Sequence, residues 1–166
     1  MRAFLNLQEK LHDTFCRGRK YASIGTHDLD KLAPPIFYRA VEPKDIHFVP
    51  LFQTEMMDGH QMMKVLEETS HLKEYLHLIR DSPVYPVVID SKEVVGSVPP
   101  IINSEHSKLT EKTKNILIEI TALSHAKAMT CLNTLIWGFS EYCGNAFEVE
   151  AVNIVEGDKT TVTPQV

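Results

Sequence analysis

The chain has 166 residues and a net charge of −5, with 17 Lys and Arg against 22 Asp and Glu. Its 43% hydrophobic and 23% charged residues exclude intrinsic disorder, and the length allows a buried core without disulfide staples. The acidic balance is wrong for a free-standing nucleic-acid binder, and no apolar run approaches the roughly 18 residues that would span a membrane.

The N-terminal MRAFLNLQEKLHDTF acquires charges at once and reads as an amphipathic helix, not a signal peptide. Phe4, Leu7, Leu11 and Phe15 form its apolar face. Gly18, within Arg17-Gly-Arg-Lys20, supplies the stop. Residues 21–25 read as a short buried strand running into Thr26-His27-Asp28-Leu29-Asp30, where His27 and Asp28 suit a turn and helix cap. After Pro34-Pro35 come a strand over 36–41, a turn at Pro43 and Asp45, and an extended run over 47–52. Asp58 and Gln61 have capping-box spacing for a helix carrying Met62, Met63, Val65 and Leu66. A second helix from about Thr69 places Leu72, Tyr75, Leu76 and Ile79 together. Strands over 85–89 and 93–98 form a hairpin through Asp90-Ser91-Lys92, ended by Pro99-Pro100. A polar loop leads to a strand over 115–121. A long helix over 124–143 follows, with Ala128, Cys131, Leu132, Leu135, Ile136, Phe139 and Tyr142 on its buried stripe. Strands over 147–155 and 160–162 lead to Pro164-Gln165-Val166. Interspersed helices and hairpins indicate one α+β domain with a largely antiparallel or mixed sheet and packed helices.

Motif chemistry is sparse. The eight histidines include no HxxxH or HExxH pair, so no metal site is expected. The seven glycines form no phosphate-binding loop. Cys16, Cys131 and Cys143 make no CxxC pair, which fits a reduced chain in the cytoplasm with no membrane partner. Cys16 is either a small core residue or a thiol activated by the adjacent basic cluster. Arg17, Arg19 and Lys20, and also Lys108, Lys112 and Lys114, read as solvated faces ahead of the alternative, contact with a nucleic-acid end. In the apolar strand over 115–121, Glu119 and Thr121 project from one face. Such a carboxylate meets solvent or lines a pocket, and periodicity alone favours solvent.

Three segments carry more information: FLNLQEKLHDTFCRGRKYASIGTHDLDKL, LKEYLHLIRDSPVYPVVIDSKEVVGSVPPIINSEHSKLTEKTKNILIEIT and FSEYCGNAFEVEAV. In order and spacing they closely resemble phenylalanyl-tRNA synthetase β subunits of the archaeal and eukaryotic cytosolic type. The resemblance covers nearly the whole chain and is most specific in THDLD, SVPPIIN and the EIT strand. It implies a fragment of a longer β subunit, its editing domain, which hydrolyses tyrosyl-tRNA(Phe). It implies Ser97, Glu119 and Thr121 as catalytic residues. Val98, Pro99, Pro100, Asn103 and Ser104 would bind substrate, with His27 and Asp28 as further candidates. The implied partners are the tRNA(Phe) acceptor end, the synthetase α subunit and the rest of the β subunit, in an α2β2 assembly. No cofactor is implied for the fragment; ATP and magnesium would serve the parent enzyme. The family usually continues Thr-Gly-Thr-Asp after this strand, whereas here Thr121-Ala122-Leu123-Ser124 follows. That departure keeps open a catalytically silent structural or interaction module of the same fold.

Overall fold

The computed structural model describes residues 2–69, 71–143 and 147–164. Ser70, Gly144, Asn145, Ala146, Gln165 and Val166, which the sequence reading touches, lie outside them. The N-terminal amphipathic stretch is helix α1 (Arg2–Asp13), which buries Phe4 and half-buries Leu7 and Leu11. Phe15 lies past the helix end and is exposed, because the chain has already turned: the Gly18 amide donates to the His12 carbonyl at 2.8 Å. Gly18 takes a φ of 61°, a left-handed value that glycine adopts without steric cost.

Strand β1 (Ala22–Asp28) then runs three residues further than the sequence reading, carrying His27 and Asp28. After β2 (Phe37–Val41), the expected extended run over 47–52 is no strand. It makes only isolated bridges, Phe48 to Met57 and Pro50 to Ser104. Helix α2 (Gly59–Thr69) starts at the expected capping box: Gln61 N–H donates to Asp58 Oδ1 at 2.8 Å and Asp58 N–H to Gln61 Oε1 at 2.9 Å. The second expected helix is a 3-10 helix, His71–Leu78. Its three-residue repeat aligns Leu72, Tyr75 and Leu78, all of which pack on the same core.

Strands β3 (Tyr85–Ile89), β4 (Val95–Val98) and β5 (Ile102–Asn103) complete an antiparallel sheet of order β2-β3-β4-β5. The β3–β4 hairpin is held by buried Asp90, whose Oδ1 accepts from Lys92 and Val94 N–H and whose Oδ2 accepts from Ala33 N–H. These bonds keep Glu93 and Val94 in the turn, so β4 begins later than position 93. Strand β6 (Ile116–Ala122) pairs antiparallel with β1, setting Ser23 opposite Thr121, Gly25 opposite Glu119 and His27 opposite Leu117. Helix α3 (His125–Cys143) starts on Ser124, whose Oγ accepts from Lys127 N–H at 3.4 Å. Of its expected stripe, Cys131 and Leu135 are buried, but Tyr142 is exposed. The final strand pair is shorter than expected on its first arm: β7 (Val152–Glu156) and β8 (Lys159–Thr163) meet around Gly157.

Two hydrophobic cores result. One joins the four-stranded sheet to α2 and the 3-10 helix through Met62, Leu66, Leu76, Val87, Val98 and Ile101. The other joins α1, α3, β1 and β6 through Phe4, Ala22, Ile24, Cys131 and Leu135. Cys16 belongs to this second core, its Sγ 3.7 Å from Cys131 Sγ, and is a packed side chain. All seven residues of β1 are buried because the strand has a neighbour on each face. Ala22 and Ile24 meet the helices, while Ser23, Gly25 and His27 look toward β4.

Candidate functional site

The polar face of β1 and β6 meets β4 where the two cores abut. Gly25 makes this meeting possible. A Cβ placed there would stand 2.5 Å from the Glu119 carboxyl, so the bare backbone lets that side chain lie across β1. The Glu119 side chain is only 13% exposed, which overturns the expectation of a solvent-facing carboxylate. The alternation holds, but the layer that covers this face comes from β4, more than 20 positions away in sequence.

Ser97 Oγ donates to Glu119 Oε1 at 2.8 Å. His27 Nε2 stands 3.7 Å from Glu119 Oε2, too far for a hydrogen bond. Both atoms are sealed from solvent and have no hydrogen-bond partner among the described residues. On the other side of the ring, His27 Nδ1 meets Ser107 Oγ at 2.8 Å, which fixes the ring plane. His27 is therefore a fully buried strand residue and not part of a turn or cap. The sequence reading missed this Ser107–His27–Glu119 chain. Ser107 Oγ is fully buried and does not border the cavity, so it orients the imidazole and is not placed to attack a substrate. Two residues along β6, Thr121 Oγ1 and Ser23 Oγ share a 2.6 Å hydrogen bond.

Of these groups Ser97, Glu119 and Ser23 border a cavity of about 640 Å³. Ser97, Glu119, Ser23, Thr26 and Asn103 supply its polar end, and Leu51, Leu66, Leu72, Ile101 and Ile102 its apolar wall. A smaller recess of about 220 Å³, lined by Tyr38, Thr121 and Ala122, shares Arg19, Ser23, Pro99 and Pro100 with it. The structure thus brings Ser97, Glu119, His27, Asn103 and the double proline together, with Thr121 one step along the strand. It separates three others. Val98 is buried in the first core. Ser104 Oγ accepts from His106 N–H at 3.2 Å inside the following loop. Asp28 turns to the opposite face of β1, where Oδ2 accepts from Thr113 Oγ1 at 2.8 Å.

The outer edge of β1 is closed by side chains. Ile24 N–H donates to His12 Nε2 at 2.9 Å, Gln8 Nε2 donates to Ile24 O at 3.4 Å, and Asn103 Nδ2 donates to Thr26 O at 3.1 Å. His12 must be neutral at Nε2 to accept that amide. Burial holds its pKa below the ordinary histidine value, against the opposing hydrogen bond to Glu9. Arg19 is not on a solvated face. Its side chain is 10% exposed, and the guanidinium donates to Pro100 O at 3.1 Å and Ile101 O at 2.9 Å and lies over the Tyr75 ring. Gly25, Ser23, Gln8, His12 and Arg19 were not among the expected site residues. The available signal was the glycine inside an apolar strand, with polar residues alternating on either side of it.

The sequence profile of the B3/4 domain matches residues 7–135, the span that holds all of these groups. The chain belongs to the B3/4 domain family. The chain is 51% identical to the phenylalanine–tRNA ligase β subunit of Dictyostelium discoideum, over 99% of its own length and 27% of that protein. It is 50% identical to the corresponding subunit of Saccharomyces cerevisiae, over 92% of the chain and 26% of that protein. The solved N-terminal fragment of the phenylalanyl-tRNA synthetase β subunit from Pyrococcus horikoshii has the same fold. Its TM-score is 0.87 at 37% identity, over 97% of this chain and 45% of that one. The chain therefore spans about a quarter of the length of the curated relatives it matches. Among its described residues no helix is long and apolar enough to cross a membrane.

Proposed function

We propose that this B3/4 domain edits for a phenylalanine–tRNA ligase, hydrolysing tyrosyl-tRNA(Phe) to free tyrosine and tRNA. The observation that carries the reading is Glu119, which borders an apolar cavity with its Oε2 unpartnered and with the equally unpartnered His27 Nε2 buried behind it. A phenol hydroxyl both donates and accepts. It would donate a hydrogen bond to the Glu119 carboxylate, with the His27 imidazole buried behind that carboxylate, and lay its ring on the Ile101 and Ile102 wall. Phenylalanine would fill the same wall and leave the buried carboxylate oxygen unsatisfied. Sites built to receive a hydroxyl reject the analogue without it by as much as about 10⁴- to 10⁵-fold, whereas size alone discriminates weakly.

Ester hydrolysis then needs a placed water and a stabilised oxyanion. Ser97 gives its proton to a carboxylate and so lacks the imidazole partner of an activated serine. Water is the nucleophile in this reading, held by the Ser23 and Thr121 hydroxyls on the face they share with Glu119. The partners follow from the same reading: the tRNA(Phe) acceptor end, the α subunit and the remainder of a β subunit in an α2β2 enzyme of the cytoplasm. ATP and magnesium would serve aminoacylation elsewhere in that enzyme. Ala122, where the family usually has glycine, is exposed and borders only the smaller recess, so the substitution leaves the Glu119 cavity open.

The test compares deacylation of tyrosyl-tRNA(Phe) and phenylalanyl-tRNA(Phe) by the full ligase. Tyrosyl ester is expected to be lost selectively, and Glu119→Ala to slow that loss by about 10- to 100-fold, the scale of one charged hydrogen bond. Equal background loss of both esters would overturn the proposal in favour of a silent module.

A further inference from the structure

Phe52 is the most exposed hydrophobic side chain bordering the main cavity, 75% open to solvent. Its backbone is also held at a φ of 65°, the left-handed region that bulky residues avoid. It is the third residue of a turn closed by Gln53 N–H to Pro50 O at 2.9 Å, a position at which glycine or asparagine is the usual occupant of such a φ. The shape is imposed from outside the turn. Phe52 N–H donates to Glu105 Oε2 at 2.8 Å, and Glu105 Oε1 accepts from Lys108 Nζ at 2.8 Å. The Lys108 ammonium lies 4.8 Å from the Phe52 ring centroid, and Lys31 Nζ donates to the Lys108 carbonyl at 3.1 Å. An aromatic ring that packs in neither core is thus pinned in an unfavourable conformation at the cavity rim, beside the Lys108 ammonium of an acidic chain, with Lys31 one contact further out and 3.7 Å from Asp28 Oδ2.

Backbone strain that surrounding contacts hold in place marks functional positions. Aromatic faces next to positive charge are how proteins grip single-stranded nucleic acid, because every base offers a π-face and every linkage a phosphate. We propose that Phe52 is the stacking platform for the terminal base of the RNA end whose aminoacyl group enters the cavity, with Lys108 and Lys31 facing its phosphates. This assignment rests on the editing reading for its ligand, a 3′-terminal nucleotide carrying an amino acid. It adds a binding residue outside the amino-acid pocket. Phe52 grips the carrier, which is common to right and wrong esters, while Glu119 inspects the cargo.

The probe is tRNA(Phe) ending in 2-aminopurine and carrying tyrosine through a non-hydrolysable amide, titrated into the full ligase. Stacking quenches the 2-aminopurine fluorescence. Phe52→Ala is expected to abolish the quench and weaken tyrosyl-tRNA binding at this site by about five- to hundredfold, the range measured for single base stacks. Phe52→Trp keeps both. For hydrolysis, KM rises in Phe52→Ala while kcat holds. Phe52→Gly separates binding from folding: it relieves the left-handed strain, so the unfolding midpoint holds or rises while the quench is lost. A quench that survives Phe52→Ala, or an unfolding midpoint that drops in Phe52→Gly, would overturn the assignment even if Glu119→Ala abolishes tyrosine-selective hydrolysis. A Phe52-dependent quench without tyrosine-selective hydrolysis would uphold the platform and remove the proposed chemistry.

Discussion

At position 25, one hydrogen in place of a methyl group decides where a carboxylate lies. Glu119 crosses β1 only because Gly25 leaves its path clear, and it is met there by Ser97 and His27. Gly25→Ala puts a Cβ into the space of the carboxyl group, and either the side chain or the strand must give way. Overpacking of this kind costs about 1–3 kcal/mol, which for a chain of this size is a fall of several degrees in unfolding midpoint. Tyrosine-selective hydrolysis should fall by at least about tenfold, because the displaced carboxylate no longer reaches Ser97. Melting and deacylation measured on the same preparation check both. An active Gly25→Ala enzyme would mean that the observed position of Glu119 is not the working one. Neither Glu119 nor Gly25 betrays this relation in the sequence, because their pairing is set by β1–β6 register across more than 90 residues.

Elements whose causes lie within a few residues were legible. The bonds of the Asp58–Gln61 box and those to Asp90 Oδ1 in its turn span two to four positions, and both features appear where the residue types place them. Spacing gives a helix over the 71–78 segment but not its type, because apolar residues three and four apart fit both kinds. Burial of the β6 face and the edge of β1 was illegible for a different reason: their partners come from other elements. Helix α1 covers that edge with Gln8 and His12, a task no local pattern announces. It carries a pH consequence. Protonated His12 cannot accept the Ile24 amide, and burial lowers its pKa in the folded chain. As pH falls below about 6.5 the unfolded chain takes up the proton first, so this contribution is complete above that value and is lost toward the lower folded pKa. The unfolding midpoint should therefore drop between pH 7.5 and 5.5, and the drop should shrink in His12→Gln. Parallel pH profiles for the two proteins would show that His12 is not the group responsible.

At the scale of the molecule, the cavity lies where two separately built cores meet. Arg19 ties them: it leaves the turn after α1 on one side and binds the Pro100 and Ile101 carbonyls on the other. Arg19→Ala removes both bonds and the stacking on Tyr75, with an expected loss of about 1–3 kcal/mol and a fall of several degrees in unfolding midpoint. The more telling readout is selectivity. With the double-proline wall released, phenylalanyl ester should be hydrolysed faster relative to tyrosyl ester, although Ser97 and Glu119 are untouched. Unchanged selectivity in a destabilised Arg19→Ala protein would mean the wall is held by its own core.

The cavity's width is the spacing between two bodies, each packed independently of the substrate. Met62 and Leu135 lie deep in opposite cores, yet each helps set how far the face bearing Ser97 stands from the face bearing Glu119. A lineage could thus retune what it tolerates by repacking either side, leaving every residue that touches the amino acid as it was.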